Sequence, residues 1–229
     1  MERSVLPMAV LISLVCSPVV LAQTAQPTVA SRAVQIAEAR QANAALMHQY
    51  TWTSRTEIID QGQVKDTRIE VVHYTPFGQL QRSLLNDESA PLPLGFLRRA
   101  IAQSERQQME QYLTGLRGLL DQYTLPTTGK ILDFMMSAKP MGPDAAGLFS
   151  MAGSNVVLPG DSLTIWVNGF TRHVARIQVN SSFQGDPVQL NATFSTLPSG
   201  LNYMAYAEVT VPNKQLSVQA QNFNYTRPN

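Results

Sequence analysis

Val188-Gln189-Leu190-Asn191-Ala192-Thr193-Phe194 alternates without a break: Val188, Leu190, Ala192 and Phe194 fall on one side, Gln189, Asn191 and Thr193 on the other. A period of two puts successive side chains on opposite faces of a strand, so this stretch belongs to a sheet with one apolar and one solvated face. One-sided strands are the habit of antiparallel sheets, because parallel strands are covered on both faces and are apolar throughout. Working outward, further strands are expected at Leu163–Val167, His173–Ser182, Tyr203–Val211 and Leu216–Tyr225. Turn clusters separate them: Asn168-Gly169, Gly185-Asp186-Pro187, Pro198-Ser199-Gly200 and Pro212-Asn213.

The N-terminal part repeats the pattern on a smaller scale. An Ala-rich helix is expected from Ser31, as N-cap, to Met47. Strands follow at Tyr50–Ile58, Lys65–Tyr74 and Leu80–Leu85, with turns at 60–63 and 76–79, a three-stranded meander. In the second of these Ile69, Val71 and His73 share one face, and Arg68, Glu70, Val72 and Tyr74 the other. The period then changes. After a connector at 91–95, Leu97, Ile101, Tyr112, Leu116, Leu119, Leu120 and Tyr123 recur at helical spacing, with Gln and charges filling the other side. A second helix is expected from Ile131 to Ala138, ended by Lys139-Pro140. Residues 140–160 are rich in Gly and Pro and read as a loop carrying a short apolar helix from Ala145 to Met151. The fold class expected is α+β: eight strands in a curved antiparallel sheet, an incomplete β-barrel, with helices packed on the concave face.

Residues 1–22 carry an address. Arg3 precedes an almost wholly apolar run from Val5 to Leu21, and Val20-Leu21-Ala22 offers small side chains for a signal peptidase. Cleavage near Ala22 would deliver residues 23–229 to the periplasm as a single α+β domain with a helical insertion at about 96–138. The one cysteine, Cys16, lies inside the signal peptide, so thiol catalysis and cysteine-ligated metals are excluded from the mature chain. No other run is apolar and long enough to span a membrane as a helix.

Charge narrows the function further. Lys and Arg number 17 against 16 Asp and Glu, so the basic excess of a nucleic-acid binder is missing. Charged residues make up 14%, below the roughly 25% usual for soluble domains. The 20 Gln supply polarity in their place. His48, His73 and His173 stand at no metal-ligand spacing, and no nucleophile elbow, phosphate loop or dinucleotide motif occurs. No catalytic residue, metal ligand or cofactor is therefore expected, and the protein is not expected to be an enzyme. Trp52 and Trp166, both mid-strand, are expected in the core.

The segment NAALMHQYTWTSRTEIIDQGQVKD (43–66), followed by VVHYTPFGQLQR (71–82), resembles the LolA/LolB-type superfamily of periplasmic lipoprotein carriers. The shared features are a helix, a strand with an aromatic–x–arginine pattern, a turn, and a strand ending in tyrosine before a glycine turn. The closing strands, with PVQLNA (187–192), are similar too, so that the resemblance covers about half the mature chain, at its two ends. It implies an incomplete barrel closed by helices, with a lipid or the acyl chain of a lipoprotein held between sheet and helices. The inward candidates for such a cavity are Trp52, Ile69, Val71, Leu190 and Phe194. The alternative is a non-catalytic envelope accessory protein with a closed core, binding a protein partner through the Gln-rich helix 96–123.

Overall fold

Twin glycine turns show how local chemistry sets the strand pairing. In a computed structural model of the chain, which describes residues 29–88, 96–124 and 127–227, β1 (Thr51–Asp60) and β2 (Gln63–Tyr74) are joined by Gln61-Gly62. β7 (Val174–Phe183) and β8 (Asp186–Thr196) are joined in the same way by Gln184-Gly185. Both residues of each pair take positive φ: 51° and 74° in the first, 53° and 87° in the second. Two successive left-handed residues match the right-handed twist of the flanking strands, and glycine at the second position takes that conformation without a Cβ clash.

The remaining strands are β3 (Leu80–Asp87), β4 (Lys139–Met141), β5 (Leu148–Ser154), β6 (Ser162–Asn168), β9 (Asn202–Val211) and β10 (Leu216–Thr226). All ten form one antiparallel sheet in the order β3-β2-β1-β10-β9-β8-β7-β6-β5-β4. Chain order is broken once, where β10 returns to pair with β1. The edge strands β3 and β4 do not meet, so the curved sheet is an incomplete barrel. The signal peptide expected at 1–22 and the connector expected at 91–95 lie outside the described residues.

Three helices cover one face: α1 (Val29–Met47), α2 (Phe96–Thr124) and α3 (Thr128–Ser137). Leu119, Tyr123 and Phe134 descend onto Leu163, Ile177, Val179, Leu190 and Ala192, the apolar sides of β6, β7 and β8. Tyr112 and Leu116, earlier on α2, pack with Val188, Val211 and Leu216. The helical spacing of Tyr112, Leu116, Leu119 and Tyr123 thus marks the buried stripe of α2. Residues 103–108 of the same helix are exposed all round. α1 packs on α3 and is pinned to the sheet at its C-terminal end. There the Asn43 side chain donates to the Asn202 carbonyl at 2.7 Å and accepts from the Asn202 N–H at 2.9 Å. Ser31, expected to cap α1, lies inside it, because the helix begins by Val29.

Three expectations are corrected. Residues 140–160 are not a loop with a short helix: they contain β4 and β5, which makes ten strands rather than eight. Phe149, Met151 and Gly153 alternate toward the helices, opposite Val167, Ile165 and Leu163 of β6. Glycine at 153 is a packing requirement, since a Cβ there would lie 2.8 Å from the Phe134 ring. Trp166 is not in the core. Its neighbour Ile165 takes the inward face, and the indole lies outside under the Arg176 guanidinium, 4.5 Å from its centroid. Ile69 and Val71 do not point inward. Trp52 pairs with Val72, whereas Ile69 and Val71 pair with Arg55 and Thr53 on the other face. Both faces of β2 carry β-branched residues, so alternation alone leaves its orientation open; Val72, fully buried, decides it.

Candidate functional site

The inward face of the sheet does two different things along its width. Under α2 it is closed: Val179, Leu190, Ala192 and Ala207 are buried, and Phe194 packs at the edge of that core. Leu190 and Phe194 are therefore inward, but in packed core. Trp52, also buried, lies near the far end of the sheet in an aromatic cluster. It stacks on Tyr225 at 5.6 Å and meets Tyr74 at 6.0 Å; Tyr74 in turn stacks on His48 at 4.1 Å. A bulge, with Asn224 at φ 55°, sets Asn224 and Tyr225 together against the single residue Trp52 on β1. Burial raises the Tyr225 hydroxyl pKa above its ordinary value.

Under α1 and α3 the face opens into a pocket of about 610 Å³. Its sheet wall is the inward side of β5, β6 and β7, from Phe149 and Met151 through Ile165 and Val167 to Val174 and Ile177. Ile131, Phe134 and Met135 of α3 form the facing wall, and Tyr123 closes the side toward the core. Around the rim stand Gln35, Ile36 and Arg40 from α1, Gln122 and Thr124 from the end of α2, Lys130 from α3, and Asn168, Gly169 and Arg172 from the β6–β7 turn. Ile36 and Phe149 are 37% and 49% exposed, and Phe170 beside Gly169 is 96% exposed. Large apolar side chains thus meet water at the mouth of an apolar pocket. None of Trp52, Ile69, Val71, Leu190 and Phe194 lines the pocket.

The floor is held rigid by one buried carboxylate. Asp161, 2% exposed, accepts the backbone N–H groups of Val156, Val157 and Leu158 at 2.6, 2.8 and 2.6 Å, and the Tyr123 hydroxyl as well. Burial alone pushes the Asp161 carboxyl up, but the donors of Leu158, Tyr123, Val157 and Val156 outweigh it and leave its pKa below the ordinary carboxylate value. The Tyr123 hydroxyl is held protonated, raised by burial and by its bond to Asp161. The cluster fixes the 155–161 turn, which carries Val156 into the pocket wall.

His73 pairs across from Thr51 and His173 Nδ1 lies 3.0 Å from Thr196 Oγ1. Among the described residues no group of three or more His, Cys, Asp or Glu stands together as a metal site. Nor, among them, is any helix long and apolar enough to cross a membrane. The pocket walls were missed in the sequence because β5 was hidden in a Gly- and Pro-rich stretch; the alternation Phe149, Met151, Gly153 was the signal available.

No protein-family model matches the chain, and no curated protein matches it. Among solved structures it is similar to a DUF1329 family protein from Desulfovibrio piger, at 10% identity and a TM-score of 0.34, over 83% of this chain and 92% of that one.

Proposed function

We propose that this is a non-catalytic, exported binding protein that takes an acyl chain into the pocket between its half-barrel sheet and its helices. The pocket itself carries the reading: about 610 Å³, walled by Met, Phe and branched aliphatics, with polar groups confined to the rim. That size falls within the roughly 300–1,000 Å³ of ligand sites. The physical need it answers is large, since each CH₂ of a lipid hidden from water gains about 0.8 kcal/mol. Met135 and Met151 give the walls adaptable contacts suited to a flexible chain. The signal-peptide pattern at 1–22 and the resemblance to LolA/LolB-type carriers favour the periplasm as the place and a lipid or acylated protein as the cargo.

The test is native mass spectrometry of the protein purified without detergent, beside an Ile165→Glu variant that puts a carboxylate on the pocket wall. Excess mass released by organic extraction as lipid, and absent from a folded Ile165→Glu protein, is the expected result. A wild-type protein that stays bare even after incubation with long-chain lipids overturns the reading in favour of the closed-core partner protein.

A further inference from the structure

The pocket mouth is charged on one side of the ledger only. Arg40, Lys130 and Arg172 line it, from α1, α3 and the β6–β7 turn, and among the described residues no Asp or Glu does. The helices around it carry carboxylates, Glu38, Asp121 and Asp133, but each sits at a position that does not line the pocket. Arg40 is held in place by donating from Nη2 to the Thr124 carbonyl at the end of α2, 3.2 Å away. Among the described residues Lys130 and Arg172 make no ion pair, although the chain's Arg55, Arg68, Arg82, Arg117 and Lys214 each face a carboxylate. Arg172 is presented by a strained backbone, φ 60°, in a turn fixed by Asn168, whose side chain accepts from the N–H groups of Phe170 and Thr171 at 2.9 and 3.0 Å. Cations drawn from three separate elements line one apolar pocket and give its opening a positive potential.

Resting on the acyl-binding reading above, we infer that the pocket selects amphiphiles whose head is an oxyanion, a free carboxylate or a phosphate, with the chain inside and the head between Arg40, Lys130 and Arg172. Guanidinium and ammonium groups bind such heads through charge-assisted hydrogen bonds, and a neutral alcohol or glyceride head offers Lys130 and Arg172 no counter-charge.

The test uses the purified protein stripped of bound lipid, its pocket filled with the uncharged fluorophore N-phenylnaphthylamine. Displacement is measured with hexadecanoate, hexadecyl phosphate, hexadecanol and inorganic phosphate, on the wild type and on a Lys130→Ala/Arg172→Ala double variant. Both positions are solvent-exposed, and circular dichroism checks the fold. The expected result is that at least one anionic amphiphile displaces the probe at a concentration roughly tenfold below hexadecanol, a difference of about 1.4 kcal/mol. The double variant should lose this preference, so that no anionic amphiphile displaces the probe at a lower concentration than hexadecanol does. Whichever of carboxylate and phosphate is preferred identifies the head. Equal displacement by all three amphiphiles, or a preference untouched in the double variant, overturns the inference and leaves the acyl-binding reading standing. Inorganic phosphate competing as well as hexadecyl phosphate overturns it too, because the chain then contributes nothing. Displacement by none of the amphiphiles overturns both.

Discussion

Asp161 shows how much one side chain can organise. Four donors converge on a carboxylate that is almost fully buried, three of them backbone N–H groups of the turn that carries Val156 into the pocket wall. Removing the carboxylate orphans the three backbone N–H groups, while the Tyr123 hydroxyl keeps Ser181 Oγ at 2.9 Å, and unpaired half-buried donors cost on the order of 1 kcal/mol each. Asp161→Ala is expected to lower unfolding stability by about 3 kcal/mol or more in urea titration. Tyr123→Phe, which removes one donor and keeps the ring, should cost about 1 kcal/mol. The pH dependence follows from the depressed pKa. The stabilisation is fully present above the ordinary carboxylate value of 3.8 and is lost as the pH falls through the lower value of the folded protein. Asp161→Asn should flatten that acid limb of the stability profile; an unchanged limb would show that other carboxylates dominate it. Asp161 follows Pro159-Gly160, and that pair makes a turn beside it legible in the sequence. Its burial under Tyr123 of α2, 38 residues away, was not legible, because the partner is remote in the chain.

At the scale of elements, α2 was readable and β5 was not. The buried stripe of α2 repeats at helical spacing, so its face is determined by sequence periodicity. β5 has glycine in the middle and glycines and prolines around it, and composition argued for a loop. What holds it in the sheet is its pairing with β6 on one side and β4 on the other, and the Phe134 ring of α3 occupies the space a side chain at 153 would need. Gly153→Val is therefore expected to destabilise the protein by about 1–3 kcal/mol through overpacking, and to reduce acyl binding, since Phe134 shifts into the pocket it lines. A variant with wild-type stability and binding would mean that Phe134 yields freely. The same distinction between wall and core explains the choice of Ile165→Glu as a binding test. Leu190→Glu would put a charge into packed core and unfold the protein without reporting on ligand.

At the scale of the whole molecule, the sheet grades from a locked centre to loose edges. Val179 and Val188 are essentially inaccessible, while every residue of β3, at one edge, is exposed. Hydrogen exchange should accordingly be slowest in β7, β8 and β9 and fastest, among the strands, in β3; protection of β3 equal to that of β8 would imply a cover over that edge. The pocket lies between these extremes, where α1 and α3 span the sheet near its other edge, and there the helices leave room. By itself the sequence determined the antiparallel meander, the existence of the five strands between 162 and 226, and the helices α2 and α3. Each of these depends on periodicity or turn chemistry, which are local. Only the tertiary structure decided which face of β2 turns inward, that Trp166 lies outside, that 148–154 is a strand, and that the pocket lies over β5–β7 rather than at Trp52 or Leu190. Those outcomes depend on which residues far apart in the chain arrive at the same place, and on whether the helices above them fill the space or leave it open.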